Sequence, residues 1–389
     1  MDKQRDFDIV IYGATGFTGR LVAEYLAQQQ GHGLSWAMAG RNADKLAAVR
    51  DEIGAPADTP LVTADARDSS SLEAMAGGAR CIISTVGPYQ LYGSDLVAAC
   101  ARQGTDYVDL CGEPLWMREM IASHQAAAQA SGARIVFSCG FDSIPFDLGV
   151  LYLQDAAREK FGAPCPRVRG RVRAMNGEFS GGTAASLGAT MAAIKAAPEL
   201  LNALIDPFAL AEGFRGPEQP ADNKPFEDEL LGQWVAPFIM ATINSKNIHR
   251  SNALLGHAYG EDFRYDEMML TGPGEQGKAA AEYVAKADPL GGDDAPKPGE
   301  GPSKEAREAG NYDVLFVGTT ADGREIRASV SGDMDPGYGS TSKMISESAV
   351  CLVSECADLP GGIYTPAPAL GQKLVKRLEA HAGLSFRLE

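Results

Sequence analysis

Residues 7–19 read FDIVIYGATGFTG, and the way this stretch divides decides the fold. Residues 7–12 are apolar and β-branched, the pattern of a buried strand. A glycine turn follows. Phe17, Leu21, Val22, Tyr25 and Leu26 then recur at helical spacing, which predicts a helix over 17–30. Spaced glycines carry little information alone, but here they sit between a strand and a helix, the context a dinucleotide-binding turn requires. Gly13 permits the tight turn, Gly16 lets the backbone approach a pyrophosphate, and Gly19 allows close packing of helix on strand. The helix N-terminus offers unpaired N–H groups and the positive end of its dipole to the phosphates. Thr15 and Thr18 add hydroxyl donors, and Phe17 borders the same turn.

Working outward, strand-like runs at 34–39, 61–64, 81–86, 107–110 and 134–138 alternate with helical stretches such as 44–53, 70–76 and 95–103. That alternation implies an α/β fold with a doubly wound parallel sheet, a Rossmann domain covering residues 1–145. The second strand ends in Ala39-Gly40-Arg41-Asn42. An NAD site would carry an acid here for the ribose hydroxyl; Arg41, with Asn42 beside it, suits a 2′-phosphate instead, so the expected cofactor is NADP(H). Asp65, ending the third strand, can accept from the adenine amino group or cap the helix that begins near Ser69. Val86, Gly87, Pro88 and Tyr89 follow the fourth strand, where the nicotinamide ribose would pass.

After Gly140 the rhythm changes. Residues 167–175 alternate strictly, with Arg167, Arg169, Arg171 and Arg173 on one face. Residues 312–319 and 324–331 form a hairpin around Ala321-Asp322-Gly323. These runs predict a second α+β domain over 146–339, for substrate or dimerisation, built on a mixed or antiparallel sheet. Within it, 287–310 is rich in Pro, Gly and charge and reads as a flexible loop or lid. The arginine face can bind an anionic handle or be a solvated, ion-paired strand. The apolar stretch 234–243 can line a pocket or serve as core or dimer contact.

The formal charge of −16 repels nucleic acid and anionic membrane. No apolar run approaches the ~20 residues that span a bilayer. The charged first eight residues contain no leader pattern, and seven scattered cysteines without a CxxC pair suit a reducing compartment, so a cytoplasmic location is expected. No zinc or P-loop spacing occurs, and no metal site is expected.

Several further motifs extend the pattern: STVGPY at 84–89, DLCGE at 109–113, GFDSIPFDLG at 140–149, SGGT at 180–183, GYGSTSKM at 337–344 and TPAPALG at 365–371. With GATGFTG and AGRN, they resemble the saccharopine dehydrogenase-like oxidoreductases, most closely the branch of the trans-acting enoyl reductases. The resemblance runs nearly end to end and is weakest over 200–310. It implies a nicotinamide cofactor, a Rossmann domain completed by 340–389, and an α+β second domain.

Reduction of an activated double bond needs a proton donor as well as a hydride. Candidates lie on loops at the carboxyl edge of the sheet: Tyr89; Glu113, with Cys111 beside it; Asp142, with Ser143; and Lys343. Each has a structural alternative, Glu113, Asp142 and Ser143 as helix caps and Tyr89 as a cover for the nicotinamide. No Tyr-x-x-x-Lys pair occurs. The first reading is an NADP(H)-dependent reductase of an enoyl or carbonyl group on a hydrophobic, lipid-like small molecule. The alternatives are an amino-acid-type dehydrogenase acting on a C–N bond, which would require inward arginines, and a non-catalytic dinucleotide-binding scaffold or sensor. A homodimer is compatible with any of these.

Overall fold

The computed structural model describes residues 5–177, 181–287 and 301–389. Ser180 of the SGGT motif and most of the expected 287–310 loop lie outside the described residues. Strands β1 (Phe7–Tyr12), β2 (Trp36–Gly40), β3 (Leu61–Thr63), β4 (Ala79–Ser84), β5 (Asp106–Asp109) and β6 (Arg134–Val136) are followed by β7 (Arg167–Asn176). Then come β8 (Phe226–Asp228), β9 (Gln233–Pro237), β10 (Arg264–Gly272), β11 (Asn311–Thr319), β12 (Glu325–Gly332), β13 (Gly362–Tyr364) and β14 (Leu384–Leu388).

The first sheet has the order β13-β6-β5-β4-β1-β2-β3 and is parallel throughout. Its central strands are buried on both faces, as β1 shows with Ile9, Val10 and Ile11 at 1% exposure or less. The strand order reverses between β1 and β4, the switch point at which such sheets bind ligands. Tyr12 pairs with Ala39 on one side and Ser84 on the other, and Ser84 pairs with Asp109. This register brings four turns together on one edge: 13–19, 40–42, 85–89 and 110–113.

The second sheet has the order β14-β12-β11-β7-β10-β9-β8. It is mixed, with β7 and β10 parallel and the remaining neighbours antiparallel. The helix Ile144–Phe161 joins the two sheets and packs on β11 and β12. It sits close because Gly149 has no side chain; a Cβ there would lie 2.4 Å from the Phe316 ring.

The C-terminal segment serves both sheets. The helix Thr341–Glu355 packs on the helix Phe17–Gln28 and beneath β4 and β5. β13 extends the first sheet beside β6, whereas β14 pairs with β12 in the second. Two buried side chains tie these parts. Asp147 accepts the Ala367 N–H at 2.7 Å, and so holds the start of the helix Pro366–Arg377. Arg250 donates to the Leu210 carbonyl at 2.7 Å and to the Ile363 carbonyl of β13 at 2.6 Å.

Candidate active site

A cleft of about 680 Å³ runs along the carboxyl edge of the first sheet. Its other walls come from the helix Gly181–Ala196, residues 239–243 and the turn 336–341. The glycine turn forms one end. Gly13 has a φ of +95°, and a Cβ there would lie 2.6 Å from Thr85 Oγ1. A Cβ on Gly19 would lie 2.1 Å from the Gly13 carbonyl oxygen, so a side chain there would lift the helix off the strand. Gly16 is the N-cap of the helix Phe17–Gln28, and no side chain caps it. The first-turn donors are therefore left for an anion, and Thr15, Phe17 and Thr18 line the cleft around them. This cradle fits the pyrophosphate of a dinucleotide.

Where β2 and β3 end, Arg41 and Asp65 line the cleft together with Arg67, which sequence reasoning passed over. Asn42 is not among the lining residues; its Oδ1 accepts the Lys45 N–H at 2.9 Å and caps the helix Ala43–Glu52. Asp65 accepts the Arg67 N–H at 3.0 Å. The helix that follows is capped by Asp68 instead.

At the opposite end, Val86, Gly87 and Tyr89 line the cleft and Pro88 does not. The Tyr89 hydroxyl donates to the Ser84 carbonyl at 3.0 Å and accepts the Leu110 N–H at 3.1 Å. Burial pushes its pKa well above the ordinary value. Glu113 is 2% exposed and outside the cleft lining. Its oxygens accept the N–H groups of Tyr89 at 2.8 Å and Gln90 at 2.9 Å, and Ser186 donates to it at 2.7 Å. It caps the short helix Tyr89–Tyr92, not the helix that begins at Pro114.

Asp142 differs from both. Its half-buried carboxyl lines the cleft and has no hydrogen-bond partner among the described residues. Desolvation by the protein packed around it pushes its pKa up to about 7. Neighbouring Ser143 is fully buried; it donates to Asn244 at 2.7 Å and accepts from Asn247 at 2.8 Å, which anchors the Asp142 loop. Cys111 is buried, accepts the Glu113 N–H, and has a raised pKa, so it has no thiolate character. Lys343 is not among the lining residues.

Beyond Asp142 the cleft is lined by apolar side chains such as Leu110, Phe141, Met175, Leu187, Met191 and Ile243. The last falls in the apolar stretch flagged at 234–243. Among the described lining residues the only cations are Arg41 and Arg67. None of the four arginines of β7 enters. Arg171 is 1% exposed and pairs with Asp228 and Asp266 at 2.8 Å; Arg167 also pairs with Asp266. Arg173 pairs with Asp313 and Glu389, and Arg169 donates to Thr319. Signals for the missed residues differ. Tyr338 and Thr341 fall within the GYGSTSKM motif, whereas nothing local marks Arg67.

A glycine cradle at the switch point of a parallel sheet, closed over by a second mixed sheet and its helices, defines a nicotinamide-dinucleotide oxidoreductase. Residues 9–136 match the family model of the saccharopine dehydrogenase NADP-binding domain. A putative trans-acting enoyl reductase of Mycobacterium tuberculosis is 43% identical, with 98% of this chain and 97% of the relative aligned. The trans-acting enoyl reductase of Mycobacterium leprae is 38% identical over 96% of each chain. The apo saccharopine dehydrogenase (L-Glu forming) of Saccharomyces cerevisiae shares the fold, with a TM-score of 0.55 at 11% identity over 98% of this chain and 100% of that one. The chain belongs to the saccharopine dehydrogenase-like oxidoreductases, in the trans-acting enoyl reductase branch. It is an NADP-dependent oxidoreductase. No described helix is long and apolar enough to cross a membrane.

Proposed function

We propose that this enzyme uses NADPH to reduce an enoyl group, conjugated to a carbonyl, on a hydrophobic, lipid-like substrate. The observation that carries the reading is the contrast within one cleft: an apolar substrate end with one unpartnered acid and no cation among its described lining residues. A substrate with two carboxylates, as amino-acid-type dehydrogenation would use, calls for cations at that end, and the β7 arginines are engaged elsewhere. The names of the relatives point the same way.

NADPH, when bound, supplies the hydride. The chain's own residues bind, orient and protonate. The glycine turn and Arg41 would hold the dinucleotide, and Asp65 would accept from the adenine amino group. Glu113 fixes the N–H groups of residues 89 and 90, and so sets the path of Val86, Gly87 and Pro88 past the nicotinamide ribose. Tyr89, its hydroxyl doubly engaged, holds β4 against the Leu110 loop and leaves proton donation to Asp142. Asp142 gives its proton to the carbon that becomes electron-rich as the hydride arrives at the other end of the double bond, and is then reprotonated from solvent. The apolar wall excludes water from the reacting carbons.

The test is turnover. Purified protein is mixed with 2-enoyl thioesters of increasing chain length and NADPH deuterated at C4. Deuterium in a saturated acyl product supports the reading. NADPH-dependent turnover of amino-acid adducts, with none on enoyl thioesters, would overturn it.

A further inference from the structure

We infer that Arg67 is a second cofactor-specificity residue, which closes with Arg41 on the 2′-phosphate of NADPH. The first support is placement. β2 and β3 are parallel neighbours with Gly40 opposite Thr63, and the Ala64 N–H donates to the Gly40 carbonyl at 3.1 Å. Arg41 and the turn 64–68 therefore leave the sheet side by side on the cofactor edge, and both arginines line the cleft.

The second support is partnership. The turn is held by its own groups: Asp68 N–H donates to the Asp65 carbonyl at 2.9 Å, Arg67 N–H to Asp65 Oδ1 at 3.0 Å, and Ser71 Oγ accepts the Asp65 N–H at 3.0 Å. The backbone at Arg67 is thus fixed while its guanidinium makes no ion pair among the described residues. Arg41 makes none either. Most other arginines of the first domain have carboxylate partners, such as Arg20 with Glu52, Arg80 with Asp8, Arg102 with Glu73, and Arg134 with Asp106, whereas Arg5 bonds to backbone carbonyls and Arg118 is unpaired away from the cleft. On a chain of net charge −16, acids to pair with are plentiful. Two unpartnered guanidiniums on one cleft wall therefore point to an anionic ligand.

The third support is charge. Arg41 and Asp65 together sum to zero, a poor receptor for a phosphate. Among the charged residues that line this end of the cleft, Arg67 makes the sum positive. One guanidinium fork engages two phosphate oxygens, and a second can take the third.

The experiment is equilibrium titration of the full chain with NADPH, NADH and 2′,5′-ADP, for wild type, Arg67→Ala, Arg67→Lys and the double Arg41→Ala/Arg67→Ala. Arg67 is exposed, so its replacement leaves folding intact. Arg67→Ala is expected to weaken NADPH and 2′,5′-ADP by about tenfold, the loss of one charge-assisted contact, and to leave NADH unchanged. Arg67→Lys, which keeps the charge and loses the fork, falls between. The double variant binds NADPH no more tightly than NADH. Equal weakening of both nucleotides, or no change in either, overturns the proposal while a wild-type preference for NADPH leaves the cofactor assignment standing. Absence of that preference in the wild type overturns both.

Discussion

The two sheets of this protein treat charge in opposite ways. At the carboxyl edge of the first, Arg41, Arg67 and Asp142 face a cleft without ion-pair partners. On β7 of the second, Arg167, Arg171 and Arg173 are paired with Asp266, Asp228, Asp313 and Glu389. Side chains of the same type do different things because of what stands beside them. A guanidinium matched to a buried carboxylate holds strands together, and an unmatched one is free to hold a ligand. An unmatched carboxyl on an apolar cleft wall is the group proposed as the proton donor.

The largest expected effect tests the unmatched acid. Asp142→Asn is expected to lower kcat on an enoyl thioester by ~10²–10⁴, the usual contribution of a positioned general acid. NADPH affinity should stay at the wild-type level. The pH profile adds a sign. A donor must be protonated, and desolvation has raised this carboxyl to about 7. Wild-type kcat should therefore be flat below that value and fall as pH rises through it, and the variant should lose this limb. A variant that keeps both rate and limb would remove Asp142 from the chemistry and leave the contrast between the sheets without its catalytic half.

Next in size is the matched arginine. Arg171→Met strands Asp228 at 4% exposure and leaves Asp266, at 1%, with Arg167 as its remaining ion-pair partner. Removing one partner of a buried pair costs ~3–5 kcal/mol, so a marked fall in Tm is expected. Any folded fraction should bind NADPH with unchanged affinity. Adding Asp228→Asn should recover part of the loss, because the uncompensated charge is then reduced. Lower NADPH affinity in Arg171→Met at temperatures well below its melting point would break the separation between the two sheets.

Arg41→Ala reverses the pattern. It should leave Tm unchanged and reduce the preference for NADPH over NADH by ~1.5–3 kcal/mol, the range for hydrogen bonds to a charged group. Paired titrations with the two nucleotides read this directly. Retention of the full preference would shift the specificity to other groups, Arg67 first.

The legibility of these features followed their locality along the chain. β1, the glycine turn and Arg41 are local patterns, each read within a window of ~20 residues. Arg67 lies 26 residues beyond Arg41, and the pairing of β2 with β3 is what makes them neighbours. β13 is three residues long and is a strand because β6 offers it an edge. β10 was hidden for another reason: Asp266 and Glu267 are buried in it at 1% and 0% exposure, so its sequence lacks the expected alternation. Their partners, Arg171 for the first and Tyr265 with Asn244 for the second, come together only in the folded sheet. The arginine face of β7 was visible as a periodicity. Its meaning was not, because the acids that answer it come from β8, β10, β11 and the C-terminus.

Arg173 gives the smallest effect and the finest test. It belongs to the same strand and pattern as Arg171, yet its side chain is 31% exposed against 1%. Its pairs with Asp313 and Glu389 have good geometry, with Nε to Asp313 at 2.8 Å and Nη2 to Glu389 at 2.6 Å. Water nonetheless competes for every group in the network, and such pairs contribute ~0.2–1 kcal/mol. Arg173→Ala is therefore expected to shift Tm slightly, by less as salt is added, with no change in nucleotide binding. A loss as large as that of Arg171→Met would mean that the sheet depends on pairing as such. A small loss would assign the difference to burial, since residue type, strand and partner chemistry are the same at both positions.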